Sequence, residues 1–369
     1  MTNDVFFAAC ATYDADAVGR AAERIISFFG GTDAMLARGR RVFIKANLVM
    51  ERSPAEATTT HPAVVAAIAE RLVRAGARVT IGDSPGAPFT REVLADIYRT
   101  CGMEDAAARA GARLNDDFSA KAIPAPEGAA FPHFDVISAC LDCDVIINIA
   151  KLKTHVMAHY TGAVKNMFGC VPGLTKPAYH ARLPKIDRFC AMLVDLCRAL
   201  APAYNIIDGI EGMDARGPTG GRKRSVGVLI ASENPHAADF AASRLVGLRM
   251  EDIPTLVRAE ALGLFQPDGV AIAGDALAPL AEPFLLPEGP HPAGAFIRRL
   301  PHYLQPLARK WLIPPPRINP ARCVGCGICA RSCPQHTIKI ADHRAKIIRK
   351  ACIRCYCCHE MCPHRAVDI

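Results

Sequence analysis

Two stretches of this chain repeat one pattern. Residues 323–340 read C-V-G-C-G-I-C-A-R-S-C-P-Q-H-T-I-K-I, and residues 352–369 read C-I-R-C-Y-C-C-H-E-M-C-P-H-R-A-V-D-I, offset by 29. Each carries C-x2-C-x2-C-x3-C-P. Three thiolates so spaced wrap one face of an iron–sulfur cubane, and the fourth reaches the other cubane of a pair. The pattern assigns Cys323, Cys326, Cys329 and Cys362 to one [4Fe–4S] cluster, and Cys352, Cys355, Cys358 and Cys333 to a second. Two zinc sites would be satisfied by C-x2-C pairs; they need neither a third Cys at +6 nor a crossed fourth. Gly325 and Gly327 suit the tight turn, and Pro334 and Pro363 redirect the chain after each fourth ligand. Thr337–Ile340 and Lys346–Arg349 flank Asp342-His-Arg344, which predicts a hairpin. Cys357 is a ninth thiol outside both patterns, expected to be packed and free.

The other seven cysteines are scattered over the first two hundred residues. This distribution fits buried thiols in a reducing compartment rather than a disulfide framework. No run approaches the length of a membrane span, and the N-terminus lacks a signal pattern, so a cytoplasmic protein is expected. The formal charge is +8. From Asn319 onward nine Lys or Arg face three Asp or Glu, and two thiolate-held clusters would return about four negative charges to that tail. No aromatic residues interleave the basic ones, so nucleic acid is not an expected partner.

Residues 1–280 alternate strand and helix signals, which predicts an α/β domain with a mostly parallel sheet and helices on both faces. Arg41–Asn47, Arg78–Ile81 and Asp144–Ile149 read as strands covered on both sides. Thr60-His-Pro62 reads as a helix start with Thr60 as N-cap and Gly76 as the stop. Asn205–Asp208 and Val226–Ile230 are further strands, Pro235–Leu248 a helix and Val270–Ile272 a last strand. A Pro-rich linker follows over 281–318, holding two basic, partly apolar segments, Phe296–Leu300 and Leu307–Leu312, expected to pack between domains, with docking on anionic lipid as the alternative that Pro301 and Pro306 disfavour. Residues 319–369 form the small α+β, ferredoxin-like two-[4Fe–4S] domain.

Lys151-Leu-Lys-Thr-His155, Thr161–Gly173, Lys45-Ala-Asn47, His61-Pro62, Gly82-Asp-Ser-Pro-Gly86, Asp208-Gly209, Gly217-Pro218 and Asp239 together resemble the domain of unknown function 362 family over roughly residues 1–280. Members of that family often end in a two-cluster ferredoxin domain, and the resemblance implies an iron–sulfur protein without implying a reaction. The residues themselves suggest more. Ligands of open α/β sheets sit beyond the carboxyl ends of strands. Lys45, Asn47, Asp83, Ser84, Lys151, Lys153, His155, Lys165 and Asn166, with Lys176 and His180, fall at or after such ends, and they would form a cationic cleft for an anionic small molecule. Asp83 and Ser84 alone read as turn or cap residues, and Cys170 as an unreactive thiol. Gly217–Ser225 fails the P-loop spacing, and no strand-linked G-x-G-x-x-G is present.

The sequence therefore predicts an iron–sulfur electron-transfer protein with two [4Fe–4S] clusters and a redox partner protein. An oxidoreductase acting on an anionic small molecule is the first reading. A non-catalytic ferredoxin-type carrier or redox subunit docking on a partner enzyme is the alternative, and a cluster-loss sensor a third.

Overall fold

Val42 and Ile44 pack into one helical layer and Phe43 into the other, so a strand that reads apolar throughout is covered on both faces. The computed structural model describes residues 2–183, 185–287 and 315–369, with Leu300, Pro301, Leu304, Ala308 and Leu312 between them. Most of the expected linker, including its two basic segments, lies outside the described residues.

The α/β domain contains strands β1 (Val5–Ala9), β2 (Arg41–Lys45), β3 (Arg78–Gly82), β4 (Arg113–Leu114), β5 (Ala120–Pro124), β6 (His133–Ile137), β7 (Val145–His155), β8 (His159–Thr161), β9 (Tyr204–Asp214), β10 (Arg222–Ser232) and β11 (Ile272–Gly274). Nine of these form one sheet in the order β11-β1-β10-β9-β7-β2-β3-β4, with β8 folded back onto β7; β5 and β6 pair separately. The half β9-β7-β2-β3-β4 is parallel. Strand β10 runs antiparallel to both β9 and β1, making the sheet mixed at that end. Helices Ala15–Phe28, Pro62–Arg74 and Met103–Ala110 cover one face, and Ile186–Leu200 and Pro235–Leu245 the other.

Local signals set the helix starts. Asp14 accepts from the backbone N–H of Asp16 and Ala17, and Asn234 from those of His236 and Ala237. The helix expected to begin at Thr60 is capped one residue later: His61 accepts from Ala63 N, with Pro62 in the first turn. The Thr60 hydroxyl is used elsewhere. It accepts from Asn47 N at 2.9 Å and donates to Ile149 O at 2.7 Å, tying the end of β2 to β7.

Strand β7 runs six residues past its expected end at Ile149. Lys151, Lys153 and His155 belong to the strand and are buried with all their neighbours in it. Their polarity disguises a strand that β8 and β9 cover on both edges.

In the C-terminal domain β12 (Arg317–Ile318) pairs with β15 (Val367–Asp368), and β13 (Ile338–Ala341) pairs with β14 (Arg344–Ile347). The predicted hairpin turns at Asp342 and His343, both in left-handed backbone, as a two-residue turn between twisted strands requires.

Candidate functional site

The carboxyl ends of β2, β3 and β7 point toward the C-terminal domain. Between them lies a cavity of about 720 Å³. Asn47 follows β2, Asp83 and Ser84 follow β3, and Lys153 and His155 end β7. The segment 161–180 adds Lys165, Asn166, Phe168, Lys176 and His180. The second cysteine motif closes the opposite wall with Cys357, Glu360 and Met361. Val49, also in the wall, is a β-branched residue in left-handed backbone (φ 47°), a conformation that surrounding structure must impose.

Two of the expected lysines support the site from behind. Lys45, fully buried, pairs with Asp83 at 2.8 Å and donates to Ala46 O at 2.7 Å. Asp83 Oδ2 accepts from Leu48 N, so one carboxylate holds both the lysine and the loop after β2. Gly169 makes room for the pair, because a Cβ there would collide with Asp83 Oδ1 and Lys45 Nζ. Lys151 pairs with Asp208 at 2.9 Å and lies 2.6 Å from Tyr13 O–H. Tyr13 stacks on His61, with ring centroids 3.6 Å apart. Lys151 is therefore closed into a polar layer with Asp208 rather than exposed to the cavity. Asp83→Asn is expected to leave the Lys45 ammonium buried without an anion and to cost about 3–5 kcal/mol in urea unfolding of the cluster-loaded chain. A loss below about 1 kcal/mol would show that water reaches the pair.

Lys153 faces the cavity but donates to Asn47 Oδ1 at 2.7 Å and Thr58 O at 2.6 Å. Burial depresses its pKa well below the usual lysine range. Lys176 donates to the carbonyls of Ser84 and Val171, and burial draws it down to about 7. Lys165 is different. It lines the cavity, burial lowers its pKa, and among the described residues it has neither a hydrogen bond nor an ion pair.

The histidines are neutral at pH 7. Burial draws both His155 and His180 down to about 4. His155 Nδ1 accepts from Met157 N and Ala158 N, which leaves its proton on Nε2, 2.7 Å from Glu360 Oε1. That contact is close but bent. His180 stacks on Phe189, with centroids 4.3 Å apart. Asp239, pushed up to about 7 by burial, accepts from Ala163 N and Val164 N and anchors the short helix that presents Lys165.

The C-terminal domain is joined to the cavity through side chains. Arg52 donates to Cys362 O at 3.3 Å, and Arg365 pairs with Glu56 at 2.6 Å. Met361 sits so tightly over Gly86 that a Cβ there would strike its sulfur. Sequence reasoning missed Glu360, Met361 and the role of Cys357 in the wall, because nothing in the cysteine spacing says which side of the repeat is covered. Gly86, quoted only as part of a motif, was the one available signal.

The eight patterned cysteines surround two further cavities, each of about 320 Å³. Cys323, Cys326, Cys329 and Cys362 line one; Cys333, Cys352, Cys355 and Cys358 line the other. Backbone N–H groups point at several of these sulfurs: Ala345 to Cys323, Arg354 to Cys352 and Thr337 to Cys333 at 3.4 Å, and Ala366 to Cys362 at 3.2 Å. Such donors favour thiolates. Each quartet therefore has the donor set and the supporting hydrogen bonds that a cubane site needs.

Fold and cysteine sites together define an α/β protein carrying an iron–sulfur domain: residues 315–363 match the family described as a 4Fe-4S dicluster domain. The chain belongs to the family described as Domain of unknown function (DUF362), matched over residues 42–244. It is 33% identical over 270 residues to the Thylakoid-associated protein sll1697 of Synechocystis sp., covering 72% of this chain and 81% of that protein. Over 47 residues it is 32% identical to one component of the ion-translocating oxidoreductase complex of Methanosarcina acetivorans, covering 13% of this chain and 18% of that one. Among solved structures, the lactate racemase apoprotein from Thermoanaerobacterium thermosaccharolyticum is similar at a TM-score of 0.44 and 15% identity. That match covers 66% of this chain and 56% of the racemase, so the chain spans little more than half of that structure's length. No helix among the described residues is long and apolar enough to cross a membrane.

Proposed function

We propose that this chain is an iron–sulfur oxidoreductase in which the cavity between the domains holds an anionic small molecule. Cys323, Cys326, Cys329 and Cys362 would hold one [4Fe–4S] cluster, and Cys352, Cys355, Cys358 and Cys333 the other. When bound, these groups supply or accept single electrons, commonly at low potential. The observation that carries the reading is Lys165, which has no hydrogen bond or ion pair among the described residues and only the longer-range pull of Glu360, in a cavity whose far wall includes Cys357, the neighbour of Cys358. A half-buried, partly desolvated cation is costly unless something pairs with it, and an anion entering the cavity would supply a close partner.

The chain's own residues divide the work. Lys165 binds the anion, Lys176 adds positive potential below about pH 7, and Lys153 fixes Asn47. Asn47, held by Lys153, and Asn166, held between Asn148 and Lys45, line the same wall in fixed orientation. Phe168, Pro85, Pro177, Pro218 and Met361 supply apolar surface and limit the water around the ligand. A redox protein partner completes the circuit. The scattered free thiols support a reducing, cytoplasmic setting.

The test is mass spectrometry of small molecules released from anaerobically purified, cluster-replete protein, with thermal shifts against phosphate and simple carboxylates. An anion that co-purifies with the wild type and is absent from Lys165→Ala supports the reading. Identical small-molecule content and identical shifts in both proteins overturn it. Affinity for an anion of fixed charge should fall as pH rises through about 7, because Lys176 loses its proton there. Affinity that rises over that interval contradicts a cationic site. The carrier reading is favoured by the likeness of the cysteine-rich segment to a component of an oxidoreductase complex. It would be preferred if the protein held a stable partner and no small molecule.

A further inference from the structure

The two cysteine motifs are copies in sequence but not in surroundings. Aligned at their offset of 29, Cys357, Glu360 and Met361 of the second correspond to Ile328, Arg331 and Ser332 of the first. The second set forms the wall of the interdomain cavity, and Glu360 there meets His155. None of the first set lines that cavity, and of the three Arg331 is exposed, Ile328 half-buried and Ser332 buried within its own domain. Among the described residues, the cavity of the first quartet is lined by residues between Ile318 and Val367, and Cys326 is exposed. Where the covered copy carries a glutamate, the open copy carries an exposed arginine.

The open face has a distinct composition. Val324, between two cluster cysteines, is 57% exposed, and Ile340, beside Gly327, is 41% exposed. Arg331 donates to Cys326 O at 3.5 Å, at the edge of this apolar spot. On the neighbouring hairpin Lys339 lies directly opposite Lys346. Like charges so placed destabilise a strand pair, and only Lys346 has a local acid, Asp342. Among the described residues Arg331, Lys339, Arg344, Arg349 and Lys350 have no acidic partner. Exposed apolar atoms beside the first quartet, in a small domain whose hairpin and flanks carry these unpaired cations, suit a small, transient, electrostatically steered contact.

We propose that this face, built on the Cys323–Gly327 loop and the β13–β14 hairpin, docks a small acidic one-electron carrier protein. With clusters held by the two quartets, an electron would pass from the carrier to the Cys323 quartet, then to the Cys333 quartet and the interdomain cavity, the carrier losing the one electron that the Cys323 quartet's cluster would gain. The order of the last step rests on the function proposed above; the docking face does not.

The test follows reduction of the anaerobic, cluster-loaded full chain by a reduced acidic flavodoxin, in stopped flow, with no cavity ligand added. Oxidation of the reduced chain by ferric cytochrome c, a basic protein, is the opposite probe. The wild-type rate with flavodoxin should fall about tenfold or more between low and high salt. Arg331→Glu with Arg344→Glu should slow flavodoxin at least tenfold and speed cytochrome c. Lys339→Glu, six residues after Cys333 on β13, should do the same more weakly, and Lys121→Glu on the α/β domain should do neither. EPR of the reduced variants verifies intact clusters. Salt-independent rates, or rates that ignore these reversals in variants with normal spectra, overturn the proposal. Loss of anion binding in Lys165→Ala leaves this assay untouched, so the two proposals fail separately.

Discussion

Cys333→Ala combined with Cys352→Ala will leave the chain with about four of about eight iron atoms, whereas Cys333→Ala combined with Cys329→Ala will leave it with almost none. The contrast follows from crossed ligation. Cys333 stands four residues after Cys329 in sequence, yet it lines the cavity of Cys352, Cys355 and Cys358, while Cys329 lines that of Cys323, Cys326 and Cys362. The first pair of substitutions damages one site and the second pair damages both. Iron and acid-labile sulfide per chain, with EPR of the dithionite-reduced protein, read the outcome. If the first combination removed all the iron and the second spared half, each motif would hold its own cluster, and the pairing of Cys333 with the second motif would be wrong.

Lys165→Met will do two things of opposite sign. In the ligand-free protein it removes a half-buried cation with no hydrogen bond or ion pair among the described residues, a gain offset in part by the lost pull on Glu360, so stability should hold or rise by up to about 1 kcal/mol, seen as an unchanged or higher urea midpoint. Toward the anion it removes a charge-assisted bond inside a cavity, worth about 2–3 kcal/mol, or about 30- to 150-fold in affinity. Lys165→Arg should keep part of the affinity because it keeps the charge. Residues whose loss stabilises the fold while abolishing binding are retained for function. A Lys165→Met protein that is less stable and binds anions as well as the wild type would place Lys165 among the structural lysines. Lys45 and Lys151 set the contrast: each has a buried carboxylate partner within 3 Å, so its loss should destabilise.

The legible parts of the fold are those where one signal dominates. Continuous apolar runs located β2 and β3, because a parallel strand under two helical layers has no polar face to lose. Cysteine spacing pointed to the small domain, and the apolar runs flanking Asp342-His-Arg344 located its hairpin. The extension of β7 was not legible, since Lys151, Lys153 and His155 read as a solvated loop until Asp208, Asn47, Thr58 and Glu360 supply their partners from distant segments. The antiparallel pairing of β10 with β1 and β9 was hidden for a related reason: direction is set by tertiary contacts that local pattern does not encode.

The candidate site was legible as a list and not as an arrangement. Strand-end lysines were expected to converge, and Lys153, Lys165 and Lys176 do line one cavity. Which of them is unpaired depends on contacts far away in sequence, such as that between Lys153 and Asn47. So does the fourth wall: Glu360 and Met361 reach a cavity whose other residues, Cys357 apart, precede position 219.

An anomalous difference map at the iron edge, from crystals grown without oxygen, tests the account at its centre. It should contain two compact four-iron sites, one inside each cysteine quartet, with the Cys333 quartet on the side of the domain that carries Cys357 and the cavity. A zinc signal at either quartet, a single iron site, or an iron site bonded to Cys329 and Cys333 together would contradict it.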